Sequence, residues 1–147
     1  MKKALFITLI LASTYGHAAQ DRIEKVANPG QINIVKDGSS VSLFYIRVSD
    51  FPKGVGSKPK KLSKIEWHTT HYPENLNEKV ELCYYPHGST TVELCENISP
   101  NASDHTEIFN QHVFDYYSRA MIRHKIKGGK KPGRPAGQDK IVFHYTY

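Results

Sequence analysis

Cysteine is scarce in this chain: its 147 residues hold only two. Eleven residues separate them, so the pair is not the C-x-x-C of a redox centre. A structural zinc site takes four ligands, which the cysteines alone do not supply. Long apolar runs are scarcer still. The only one, Ala4 to Ala12, has nine residues, whereas a membrane-spanning helix needs ~20. There is no G-x-S-x-G, no H-E-x-x-H and no phosphate loop, so the usual signatures of hydrolases, zincins and nucleotide enzymes are missing. Acidic residues number 14 against 20 Lys and Arg, a formal charge of +6. That balance permits contact with acidic partners without requiring it.

What is present begins with an export pattern. Met1-Lys2-Lys3 is a basic start, Ala4 to Ala12 is apolar, and Ser13 to Ala19 is more polar. This order predicts a signal peptide over 1–18, with Gly16 and Ala18 as the small residues before cleavage. The expected mature protein is one periplasmic domain, 19–147, carrying about +4 once Lys2 and Lys3 are removed.

Export gives the two cysteines a context, because an oxidising compartment favours their union. They sit in the stretch VELCYYPHGSTTVELC, Val80 to Cys95. Setting Cys83 against Cys95 on a hairpin places Tyr84 against Leu94 and centres the turn on His87 to Thr91. Val80, Leu82, Tyr84, Val92, Leu94 and Ile98 then share one face. Glu81, Cys83, Tyr85, Glu93, Cys95 and Asn97 share the other. Apolar residues thus segregate in a register that brings the cysteine Cα atoms within disulfide range. His68 and His71 in HTTH would point to opposite faces of a strand and could not easily join one metal ion. A disulfide is the expectation, with no metal and no cofactor.

Elsewhere β-prone runs dominate. They are Gln31–Val35, Val41–Val48, Ile65–Tyr72, Arg119–Lys127 and the terminal KIVFHYTY. Val41–Val48 is dense in apolar residues and reads as a central strand buried on both faces. In Arg119–Lys127, Ala120, Ile122, His124 and Ile126 share a face. In the last strand Ile141, Phe143, Tyr145 and Tyr147 do so. Asp104–Tyr117 is ambiguous. Asp104-x-x-Glu107 resembles a capping box, and Phe109, Val113, Tyr117 and Met121 recur every four residues. Helix and aromatic β-segment are both open there. The predicted class is mainly β: an antiparallel sandwich or barrel of about seven strands, with room for one short helix.

No catalytic residue can be named. The histidines lack recognisable partners in sequence and read as surface residues. Glu81 and Glu93 share the hairpin's polar face, where solvation is the simpler role. Two loops rich in Gly, Pro and Lys stand out, Asp50–Lys64 and Gly128–Gln138. Their Lys58, Lys60, Lys61, Lys130, Lys131 and Arg134 are candidate contacts for an acidic protein. PGRPAG lacks the paired arginines of a minor-groove arm, so nucleic acid is not an expected partner. Tyr84, Tyr85, Tyr116, Tyr117 and Tyr147 suggest an alternative, a secreted glycan-binding adhesin or toxin-type subunit.

Several features occur in the order found in one family. DGSSVSLFYIRVSDFP spans Asp37–Pro52, and a Trp strand, IEW, follows at 65–67. Leu82-Cys83 closes the next strand, and Cys95 lies on the returning one. Gly128-Gly129 precedes a final strand, IVFHY, at 141–145. In this the chain resembles the FlhE family, small exported proteins of the enterobacterial flagellar system. It departs from that pattern in ending with His144-Tyr145 where the family tends to have Asn-Tyr, and in a longer gap between cysteines. The resemblance implies a non-enzymatic periplasmic accessory or chaperone-type protein of flagellum assembly. Its partners would be flagellar or export-apparatus proteins, with no stable membrane insertion.

Overall fold

The computed structural model describes residues 18–33, 37–91, 94–110 and 112–147. The expected signal peptide, apart from Ala18, lies outside them. Among the described residues eight strands form: β1 (Gln20–Ala27), β2 (Gly38–Tyr45), β3 (Lys61–His68), β4 (Lys79–Tyr85), β5 (Leu94–Ile98), β6 (Ser103–Thr106), β7 (Arg119–Ile126) and β8 (Asp139–Thr146). They make two four-stranded sheets, ordered β1-β8-β3-β6 and β2-β7-β4-β5, with every pairing antiparallel. Of the two architectures expected, this is the sandwich and not the closed barrel.

Period-two alternation builds the core. From β7 come Ala120, Ile122 and Ile126, and from β8 Ile141, Phe143 and Tyr145, all fully buried. Both strands are central in their sheets, so their inward residues meet across the interior. Phe114 stacks on Phe143 at 5.6 Å between ring centroids, and Phe51 meets Tyr145 edge-on at 5.4 Å. Backbone bonds between Ala19 and Tyr147 pin the C-terminal end.

The cysteine hairpin forms in the predicted register. Cys83 faces Cys95 and Tyr84 faces Leu94. The disulfide is present, with Cα atoms 4.1 Å apart. Its inward face is less apolar than expected: Glu96 opposes Leu82, and Leu94 is exposed.

Three expectations are corrected, and one segment left open, Asp104–Tyr117, takes its form. Val41–Val48 is not a central strand buried on both faces. β2 ends at Tyr45 and lies at a sheet edge, with Phe44 and Ile46 inward and Val41, Leu43 and Tyr45 exposed. Gln31–Val35 is not a strand over its described part, where Ile32 makes an isolated bridge to Gly133. Asp104–Tyr117 contains no helix among its described residues. β6 is followed by turns in which Phe109 and Phe114 are buried while Val113 and Tyr117 are 63% and 72% exposed. The four-residue recurrence therefore marks no common face; the two phenylalanines plug one end of the sandwich. Asp50–Lys64 is only partly an exposed loop, since Phe51 and Val55 are buried and β3 already begins at Lys61.

Candidate interaction surface and buried ionic cluster

The sheets differ on their solvent faces. On the β1-β8-β3-β6 sheet, Glu24, Val142, Glu66 and His105 form one row across the strands, with Arg22, His144 and Lys64 beside it. This face pairs its own charges. Glu66 accepts from Lys64 at 2.7 Å and lies 3.2 Å from His144. Those two hydrogen bonds lower the Glu66 carboxyl below its ordinary value.

The β2-β7-β4-β5 sheet presents a different surface. Leu43, Met121, Cys83 and Cys95 align across all four strands. Cys83, Met121 and Tyr85 pack together beneath the surface, so the disulfide clamps this outer face and not the core between the sheets. In the neighbouring row the Arg119 guanidinium lies 4.3 Å from the Tyr85 ring and 6.0 Å from that of Tyr45, a cation–π arrangement. On the other side Glu81 is held by Lys125 at 2.8 Å and by Arg123 at 3.5 Å. That use makes Glu81 a surface ion-pair partner. The pairing proposed for it, Glu93, lies outside the described residues.

At the Tyr45 end the strand runs into a cleft of about 370 Å³ lined by Tyr45, Ile46, Arg47, Val48, Tyr116 and Tyr117. Tyr117 adopts φ 64°, a left-handed conformation unusual for an aromatic residue. Its N–H donates to the Ile46 carbonyl at 2.9 Å, which fixes it. The His87 imidazole packs edge-on against Tyr116 at 4.8 Å. Of the tyrosines considered for glycan contact, Tyr84 is buried and Tyr85 nearly so. The Tyr84 hydroxyl donates to the Val113 carbonyl, and burial pushes its pKa up. Tyr116 and Tyr117 are the two that reach this cleft.

The basic loops do not combine. Lys61 pairs with Thr146 at the end of β8, whereas Lys130, Lys131 and Arg134 precede its first residue, Asp139. The intervening eight residues separate the groups by ~25 Å at ~3.3 Å per residue. Lys58 stands exposed over the Tyr147 ring at 5.0 Å. Lys130 reaches Glu74 at 2.7 Å, while Lys131 and Arg134 are exposed. Lys60 is a correction, because its ammonium is not on the surface. It donates to the carbonyls of Gly56 and Lys58 at 2.9 and 2.6 Å, pairs with Asp115 at 3.0 Å and faces the Phe51 ring at 4.6 Å. A charge this buried needs all of those partners, and they occupy it.

A second correction concerns the histidines. His124 is fully buried. Its Nδ1 lies 2.7 Å from Glu78 Oε1, and its Nε2 lies 3.0 Å from Asp139 Oδ2. Asp139 also accepts from the Ser42 hydroxyl at 2.6 Å and the Thr70 amide at 2.8 Å. Glu78 accepts from the Tyr72 amide at 3.0 Å. Burial alone would depress the imidazole, but the hydrogen bonds it donates to Asp139 and then Glu78 outweigh it and hold His124 up to about 9. Because β7 and β8 belong to opposite sheets, the cluster bolts the sandwich layers together. Its donors and acceptors are spent on one another, which is a structural arrangement. Among the described residues no group of His, Cys, Asp and Glu is arranged to hold a metal ion, and no helix is long and apolar enough to cross a membrane.

No protein-family model and no curated relative matches the chain. Among solved structures, the crystal structure of FLHE superposes with a TM-score of 0.62 at 13% identity, covering 88% of this chain and 100% of that one. The chain therefore has the FLHE fold. Structures of tomato aspermy virus and desmodium yellow mottle tymovirus also match, at 16% and 11% identity and TM-scores of 0.49 and 0.41. They cover 99% of this chain in each case, and 87% and 93% of theirs. Scores that low bear on neither fold nor function.

Proposed function

We propose that this chain is a non-enzymatic, exported accessory protein of flagellum assembly that works by binding flagellar or export-apparatus proteins in the periplasm. The observation that carries this reading is the superposition on FLHE along the whole of that chain. The disulfide is consistent with an oxidising compartment. Recognition would use surface already in place: the apolar and arginine-rich face of the β2-β7-β4-β5 sheet, with Lys58 and Lys61 at one end or Lys130, Lys131 and Arg134 at the other. The loop cations are too far apart to serve one small epitope together.

The test is capture from periplasm of flagellated cells with the mature protein as bait, beside flagellar counts in cells lacking it. Recovery of a flagellar or export-apparatus component, with altered flagellation, supports the reading. The cleft bearing Tyr45, Tyr116 and Tyr117 favours a second reading, glycan binding. Glycan-array binding lost on Tyr117→Ala, with normal flagellation, would put it first.

A further inference from the structure

A sandwich of this topology has four edge strands, and three carry protection against pairing with another chain. β1, QDRIEKVA, has charges at Asp21, Arg22, Glu24 and Lys25. β6 is four residues long and includes Asp104. β5 is five residues long and includes Glu96. Short length and charge are the usual devices that keep an open edge from recruiting a strand. β2 has neither. GSSVSLFY runs eight residues without a charge or a proline. Its exposed apolar side chains, Val41, Leu43 and Tyr45, are 40%, 42% and 46% accessible.

The backbone has one unpaired side, with β1 of the other sheet passing nearby. β2 pairs with β7 on one side and with no strand on the other among the described residues. Ile46 donates its N–H to the Ser118 carbonyl and accepts the Tyr117 N–H, both at 2.9 Å. In an antiparallel ladder the pairs alternate between bonded and unbonded. That phase turns the N–H and C=O of Ser39, Val41, Leu43 and Tyr45 away from β7, toward the open side. The residues that offer backbone bonds are those whose side chains face outward.

Charge selects the occupant. On this outer face stand Lys79, Arg119, Arg123 and Lys125, with Arg47 in the adjoining cleft; the described carboxylate among them is Glu81, already held by Lys125 and Arg123. A second copy pairing through β2 would bring a second set of these cations onto one continuous face. An acidic strand would be attracted instead.

We propose that the open edge of β2 is a strand-addition site for an extended acidic segment of a partner protein. Side chains of alternate residues in that segment lie over Val41, Leu43 and Tyr45. Its carboxylates meet Arg47 and Arg119, and an apolar or aromatic side chain enters the cleft beside Tyr117. Main-chain bonds supply affinity, and the alternating side chains supply choice. This inference rests on the protein-binding reading above and names the surface and the chemistry of its partner.

The test uses the full mature protein and a fluorescein-labelled ten-residue peptide alternating valine with glutamate, followed by the same peptide with lysine for glutamate. The expected result is saturable binding of the acidic peptide below about 1 mM, weakened by salt and absent for the lysine peptide. Hydrogen exchange should slow at the amides of Val41, Leu43 and Tyr45. Leu43→Glu places on this edge a carboxylate of the kind β1 already carries at Asp21 and Glu24, at an exposed position where folding is undisturbed; it repels the acidic segment and should weaken binding at least tenfold. No saturation, equal binding to Leu43→Glu, or protection only at the basic loops overturns the proposal. Slowed exchange at β2 in the free protein, together with a dimeric mass, overturns it in favour of a second copy. Periplasmic capture by Leu43→Glu separates the two levels. A partner still recovered removes the β2 site and leaves the protein-binding reading standing. No partner recovered by the wild type removes both.

Discussion

Raising the pH from 6 to 9.5 should loosen this protein through one residue. The folded state holds the His124 proton up to about 9, against an ordinary 6.5. Its pKa is raised on folding, so its stabilising contribution is complete below pH 6.5 and is lost as pH climbs through 9. The difference of some 2.5 units at 1.36 kcal/mol each corresponds to about 3 kcal/mol, a large part of the ~5–15 kcal/mol that holds a domain together. Urea unfolding followed by fluorescence of Trp67, the one tryptophan and a core residue, measures this directly. Wild type should lose about 3 kcal/mol between pH 6 and 9.5. His124→Gln keeps an N–H for one carboxylate but cannot titrate. It should be less stable at pH 6 by ~3 kcal/mol, the usual penalty for breaking a buried pair, and should have a flatter pH dependence. Every other group is common to both proteins and cancels in the comparison. Equal slopes for wild type and His124→Gln would refute the reasoning, since the proton would then not be held by Glu78 and Asp139.

Three further outcomes are expected. Replacing both Cys83 and Cys95 by serine opens a 13-residue ring and should cost ~3 kcal/mol in urea unfolding; a loss below ~1 kcal/mol would mean that β4 and β5 stay paired in the unfolded chain. Gly129→Ala should destabilise by more than ~1 kcal/mol, because φ is +99° and the new Cβ would sit 2.4 Å from the Glu74 carbonyl oxygen; an unchanged midpoint would show that the turn can shift. Lys130→Glu with Lys131→Glu should weaken partner capture in a salt-dependent manner while leaving stability within ~0.5 kcal/mol; affinity indifferent to salt would retire the loop as a contact.

Local periodicity was the readable part of the fold. The cysteine register, the inward set Ala120, Ile122, His124 and Ile126, and the terminal strand through Tyr145 all follow from alternation, because one buried face imposes it. β1 has no legible alternation, since Ile23 is its one buried residue amid charges. β2 is ambiguous for the opposite reason. Its apolar residues occupy both parities, and composition cannot say whether the second face meets another layer or solvent. That ambiguity conceals the candidate docking edge. The ionic cluster was half legible. Alternation puts His124 among inward residues, but Glu78 is 46 positions away and Asp139 is 15 away, so only the pairing of β4 with β7 and the packing of β7 on β8 bring them together. Lys60 illustrates the same limit, for nothing in KPKK distinguishes an ammonium that turns inward to Asp115 from its solvated neighbours.

Recognition of a flagellar partner through the open edge of β2 is tested most directly by a photocrosslinking residue at position 43, irradiated in living flagellated cells. Covalent capture of a flagellar or export-apparatus protein through an acidic, extended segment is the predicted result. A crosslink to another copy of this chain, or none at 43 while position 131 captures the partner, would contradict it.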